Sequence, residues 1–140
     1  KSLKTIFDKL KNDIVTYALD RMQEPKILED ESSLPVDFQA ALYFQDTIGI
    51  TSYKGKAERI VIKANKIAAK YIASQPFHQS QKLTSESTDF SMFELNVLVS
   101  EEFIRNLLGY AGELEILEPK SLRKSMGERA KQLNKLYKSK

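Results

Sequence analysis

The sequence predicts an α+β fold: a ferredoxin-like β-α-β-β-α-β sandwich with an added C-terminal helix, preceded by a strand and a linker. Three observations predict it. Beyond Lys56 the hydrophobic period alternates between 2 and 3.6 in that order. Capping residues stand where the helical stretches begin, and Pro or Gly stands where elements end.

The first strand is "ERIVIKA", with Ile60 and Ile62 on one face and Arg59, Val61 and Lys63 on the other, as in a sheet covered on one side. "NKIAAKYIAS" follows as a helix: Asn65 is placed to cap it, and Ile67 with Tyr71 and Ala68 with Ile72 stand four apart. Pro76 ends it. "SQKLTSES" and "DFSMFELNVLVS" flank a polar turn and predict a hairpin, in which Phe93, Leu95, Val97 and Val99 alternate against Glu94 and Asn96.

Ser100 is placed to cap a second helix, with Glu101 and Glu102 at the positive end of its dipole and a stripe of Phe103, Ile104, Leu107 and Leu108. "ELEILE" over 113–118 predicts the fourth strand, with Leu114 and Ile116 inward and Glu113 and Glu115 together on the other face. Ser121 is expected to cap a last helix in which Leu122, Met126, Ala130, Leu133 and Tyr137 recur at helical spacing, with a basic opposite face.

Upstream, "IVTYAL" at 14–19 predicts one strand, whose sheet partners are expected before Lys1 because an acidic stretch broken by Pro25 and Pro35 follows it. A short helix is expected within "VDFQAALYFQDTIGI", and the loop "TSYKGK" is the expected domain boundary.

Composition excludes several chemistries. Without Cys the chain holds no disulfide, thiolate zinc site, iron–sulfur cluster or cysteine nucleophile, which fits a reducing cytoplasm. No run of about 18 apolar residues could span a bilayer, and the first residues lack the apolar core of a signal peptide. The chain does not begin with Met and is read as a piece of something longer. Net charge is only +3, but residues 1–22, 23–53, 54–82, 83–118 and 119–140 carry +2, −5, +6, −7 and +7. Any one block reads first as a solvated face; the last could also meet nucleic acid or an acidic partner.

The one His stands in "QPFHQSQKL". A zinc ligand or general base needs company, and there is no second His and no Cys. The residues favour a structural corner in which Pro76 stops the helix while His78, Ser80 and Gln81 satisfy backbone groups between helix and strand. Nothing marks Glu113 or Glu115 for the burial that would raise one pKa, and neither a glycine-rich phosphate loop nor a Ser-His-Asp order is present. The chain is not expected to be an enzyme, and no metal or cofactor is assigned to it.

Three phrases in order, "YALDRM" at 17–22, "PFHQSQ" at 76–81 and "LLGYAGELEILEPKSLRKSM" at 107–126, resemble the WYL-domain transcriptional regulators of bacteria. Leu19-Asp20-Arg21, Ile48-Gly49-Ile50, His78, Ser80, Gln81 and Leu117-Glu118-Pro119 are in register with that family. Gln79 stands where the family has Pro, Met22 where it has Ile, and the Trp-Tyr-Leu motif is absent. The resemblance implies a winged helix-turn-helix and most of a small β-barrel upstream of Lys1. It implies the last part of the barrel at 1–22, a linker at 23–56 and a ferredoxin-like C-terminal extension at 57–140. It further implies that Arg21 helps to bind an anionic effector, nucleic acid or nucleotide, which suits a guanidinium that pairs bidentately with phosphate. From the residues alone an ion pair with Asp20 or another carboxylate is an equal reading of Arg21.

The expected function is the effector-sensing and dimerisation part of a cytoplasmic DNA-binding regulator. DNA would be met through the upstream domain, and operators with two half-sites favour a homodimer. The alternative is a free-standing ferredoxin-like module that binds a small ligand or itself.

Overall fold

Asp8 ends one strand and turns the chain back into the next. Its Oδ1 accepts from the backbone N–H groups of Leu10 (2.9 Å) and Lys11 (3.1 Å), and Asn12 takes φ 50°, a left-handed conformation that Asn tolerates. Strand β1 (Leu3–Asp8) therefore pairs antiparallel with β2 (Asp13–Ala18), from Leu3 opposite Ala18 to Asp8 opposite Asp13. The computed structural model describes residues 3–31, 33–49 and 55–138, and the chain divides into two compact units between Gln45 and Asp46.

The hairpin corrects two expectations. The partner of the second strand lies within the chain, not before Lys1, and Leu19–Arg21 form a single 3-10 turn instead of prolonging the strand. "LKTIFD" escapes a period-2 search because Ile6 and Phe7 are adjacent and fall on opposite faces. The short helix expected downstream is α1 (Ala40–Phe44). Its Tyr43 ring lies 5.3 Å from Phe38 and 4.9 Å from Phe44, and its hydroxyl donates to the Ile14 carbonyl at 3.3 Å. No described residue of this unit is buried.

The second unit takes in the end of the expected linker. Leu98 N–H donates to the Asp46 carbonyl at 2.8 Å, and Ile48 is buried in the core. Gly49 has φ 75°, where a side chain would be strained. Ile50 and, in the expected boundary loop, 51–54 lie outside the described residues.

From Glu58 onward the elements take the predicted α+β order: β3 (Glu58–Asn65), α2 (Lys66–Ser74), β4 (Lys82–Glu86), β5 (Phe90–Val97), α3 (Glu101–Leu108), β6 (Leu114–Glu118) and α4 (Lys120–Tyr137). The sheet runs β4-β5-β3-β6 with every neighbour antiparallel, the split ferredoxin-like arrangement. Ile60, Ile62 and Ala64 of β3 lie opposite Leu95, Phe93 and Ser91 of β5, so their pleats put one apolar face against the helices. Ala68 and Ile72 of α2, Phe103 and Leu107 of α3, and Leu122 of α4 complete that core.

Two caps stand where the sequence places them. Asn65 accepts from Ile67 and Ala68 N–H at 3.0 and 2.9 Å, and Ser100 accepts from Phe103 N–H at 3.1 Å. The third does not: α4 begins at Lys120 with Pro119 in the cap position, so Ser121 lies inside the first turn. Proline's fixed φ already suits a helix start, and Arg123 N–H closes the turn on the Pro119 carbonyl at 3.0 Å. Three further details differ. The last strand starts at Leu114, so Glu113 ends a 3-10 turn and does not share a strand face with Glu115. Ile67 and Tyr71 of α2 are exposed, and its buried stripe is Ala68, Ala69 and Ile72. Only the first half of α4 docks, since Leu133 and Tyr137 are 48% and 83% exposed.

Val61 lies on the sheet's open face, yet is only 6% exposed. Its cross-strand neighbours are Glu94 on β5 and Glu118 on β6, and Arg59, on the same face, donates to both. This bridge joins three strands on the face that carries Val61. The Arg59 hydrogen bond also holds the Glu94 carboxyl below its ordinary range.

A second arginine joins α4 to α3. Arg129 donates from Nη1 and Nη2 to the two oxygens of Glu101 at 2.9 and 2.6 Å, and Arg105 Nε adds a bond of 3.2 Å. The Glu101 carboxyl is thereby held below its ordinary value, with Arg129 the larger cause. A depressed carboxylate stabilises the fold above its unfolded pKa, and that contribution is lost as pH falls through the depressed value. Native chain and Glu101→Gln are therefore expected to differ in melting temperature at neutral pH, with the gap closing below the ordinary carboxylate range. A gap that persists in acid would show that charge at Glu101 is not what secures α4.

Candidate functional site

The residues singled out in the sequence fall in two places, one in each unit. Arg21 ends the 3-10 turn after β2 and lines a groove of about 610 Å3 with Phe7, Asp8, Lys9, Tyr17 and Met22. Among the described residues it forms no ion pair with Asp20 or any other carboxylate. Asp8, the turn-capping carboxylate, is engaged: Tyr17 hydroxyl donates to its Oδ2 at 2.5 Å. That bond first, and the Lys11 backbone N–H second, hold the Asp8 carboxyl below its ordinary value. Lys11 sits 5.2 Å from the centre of the Tyr17 ring, and Tyr17 is the main cause that holds its ammonium above the ordinary value. The groove thus places the cations Lys9 and Arg21 beside an aromatic wall, with the carboxylates of Asp8 and Asp30 also in its lining. Sequence reasoning missed Phe7 and Lys9, whose nearness to Arg21 depends on the unforeseen strand β1, and gave no role to Tyr17, which stood in the quoted phrase "YALDRM".

His78, Ser80 and Gln81 are brought together by hydrogen bonds that tie α2 to β5. Gln81 Nε2 donates to the Ile72 carbonyl at 2.9 Å, an acceptor near the end of α2, and its Oε1 accepts from Phe77 N–H at 3.0 Å. Its own N–H closes the turn on the His78 carbonyl at 3.0 Å. Asn96 N–H donates to Ser80 Oγ at 3.0 Å, and Oγ lies 3.1 Å from the Asn96 carbonyl, so one side chain pairs with both backbone groups of a β5 residue.

His78 Nδ1 lies 2.8 Å from Ser80 Oγ and 3.2 Å from the Ser80 backbone nitrogen, so the ring is engaged within the turn. Phe77 packs beneath it, edge-on to Phe103 and Tyr110 at 5.7 Å from each, and fastens the corner to α3.

Among the described residues, no group of three or more His, Asp or Glu is placed to hold a metal ion, and no helix is long and apolar enough to cross a membrane. Removing the corner's bonds tests its mechanical role. Ser80→Ala and Gln81→Leu each delete two backbone-directed bonds and are each expected to lower unfolding free energy by about 1–2 kcal/mol in urea titrations. Unchanged midpoints in both would show that the corner does not hold α2 to β5.

A comparison with curated proteins found no match. The family model of the WCX domain matches residues 56–133. That span runs from just before β3 into α4 and includes His78, Ser80, Gln81 and the Arg59 and Arg129 bridges. It covers more than half of the chain, which therefore belongs to the WCX domain family, the C-terminal extension of WYL-type regulators.

Proposed function

We propose that this chain is the regulatory part of a WYL-type DNA-binding transcription regulator, sensing an anionic effector in the hairpin unit and contributing to a homodimer through its WCX domain. DNA is met through an upstream domain, in the cytoplasm, and the chain performs no chemistry. The observation that carries this reading is Arg21. It is the guanidinium of the Leu19-Asp20-Arg21 phrase, it is without an ion pair among the described residues, and it shares a groove with Lys9. A planar cation beside an ammonium and aromatic rings suits a phosphate carried on a nucleotide or nucleic acid.

The hairpin favours this over a free-standing module. Two strands with no buried residue among those described are at best marginally stable alone in water, which supports further structure packed against this unit. In the mechanism, the effector binds one arrangement of the dimer better than another and shifts the population of DNA-competent heads. The size of the shift is bounded by that difference in affinity.

The test uses a short probe, a dinucleotide carrying a 5′-phosphate, followed by isothermal calorimetry and amide chemical shifts. Binding is expected to move the signals of Lys9 and Arg21, and Arg21→Ala is expected to weaken it about tenfold or more, with Arg21→Lys intermediate. Shifts confined to the second unit, or equal affinity in Arg21→Ala, would sink the effector assignment. Sedimentation showing a monomer at all concentrations would sink the dimer.

A further inference from the structure

Lys120, Lys124, Lys131, Lys135 and Lys138 are all exposed, and their spacings of 4, 7, 4 and 3 put them within about 60° of one another on the helical wheel. They form one row about 27 Å long, on the side of α4 opposite the docked Leu122 and Met126. Only Lys124 has a carboxylate partner among the described residues, Glu128 at 4.0 Å. The helix's two arginines are otherwise engaged, Arg123 with Glu115 and Arg129 with Glu101.

Glu128, four residues after Lys124 and three before Lys131, fills the gap of seven, so the face carries five ammonium groups against one carboxylate, an excess of like charges at repelling spacings. Lysines in the last turn suit the helix dipole, whereas Lys120 and Lys124 near the N-terminus oppose it. The first half of the row is anchored, and Lys131, Lys135 and Lys138 follow on the part of the chain that projects beyond Arg129. Arg129 clamps α4 to α3, and Arg123 donates to Glu115 and to the Ile116 carbonyl on the edge strand β6. A helical row of point charges on one side is complementary to a straight, regularly charged polymer.

We propose that this lysine row is a docking surface for the phosphodiester backbone of duplex DNA, separate from the Arg21 groove and independent of its assignment. Lysines without an arginine fork position a backbone without reading bases. Single strands are gripped by stacking on aromatic rings, and none stands in the row. An anionic membrane would need the apolar side of α4, half of which is packed on the domain. The surface therefore fits sequence-independent contact with duplex flanking an operator.

Fluorescence anisotropy of the full chain on a labelled 20-base-pair duplex, titrated with salt, tests this. Four free lysines give an expected slope of log affinity on log salt of roughly −3 to −4, from about 0.9 per phosphate neutralised. Lys131→Gln, Lys135→Gln and Lys138→Gln together are expected to flatten the slope by two to three and to weaken binding at least tenfold. Circular dichroism reports whether α4 persists. The control triple of Lys26→Gln, Lys56→Gln and Lys70→Gln removes the same net charge and is expected to leave the slope in place, as is Arg21→Ala. Equal losses in row and control triples would reduce the effect to net charge and overturn the proposal. So would equal or tighter binding to the single strand, to polyglutamate or to phosphatidylserine vesicles, or no binding to the duplex at low salt.

Discussion

The two-residue period of β3 is the constraint on which the second unit depends. Ile60, Ile62 and Ala64 face the helices because the charged Arg59 and Lys63 cannot, and β3 is one of the two central strands, with β5 and β6 on either side. A slip by one residue would press Arg59 and Lys63 toward Phe103 and Leu107 and turn two isoleucines to water, each worth about 1.5–3 kcal/mol when buried. The register is held from both sides, with Ile62 opposite Phe93 on β5 and Ile116 on β6. On the reverse face the same alternation brings Arg59 between Glu94 and Glu118, so one pattern specifies the core and its ionic roof together.

Helix α2 shows why the corner at His78 matters to that arrangement. Nine residues are too few to be helical alone in water, so the ends must be secured by what lies around them. Asn65, the last residue of β3, holds the N-terminal amides, and Gln81 takes the Ile72 carbonyl near the other end. Ser80 meanwhile carries the chain onto β5 ahead of the regular pairing that starts at Lys82 and Glu94. The phrase that resembled a family in the sequence is thus a mechanical joint between helix and sheet, and its polar side chains act on backbone groups.

What could be read from the sequence was what is local. Asn65 and Ser100 each cap amides two or three residues away, so their role needs no knowledge of the fold. The pairs Ile67 with Tyr71 and Leu133 with Tyr137 have the same helical spacing as buried pairs, but spacing cannot say whether another element arrives to cover them. Strand β1 stayed hidden because Ile6 and Phe7 stand side by side and leave no strict alternation to read. The Arg21 groove was hidden for the same reason, since Phe7 and Lys9 come near only after that hairpin forms. The Val61 roof required the register of three strands, which no single stretch contains.

The alternating charge blocks acquire a meaning that net charge could not supply. Glu101 and Glu115 come from the acidic block, Arg129 and Arg123 from the basic one, and they meet pairwise where α4 joins the unit. Part of the sign alternation is therefore consumed in assembly, and it is consumed selectively. Guanidinium forks match carboxylates in two directions and fix geometry, so the arginines went to the joints. Ammonium groups on flexible stems fix little, and the lysines remain outside, on the face of α4 turned away from the docked Leu122 and Met126. A surface charge inferred from composition alone would have counted both kinds equally; the fold separates the cations that hold the protein together from those left to meet something else.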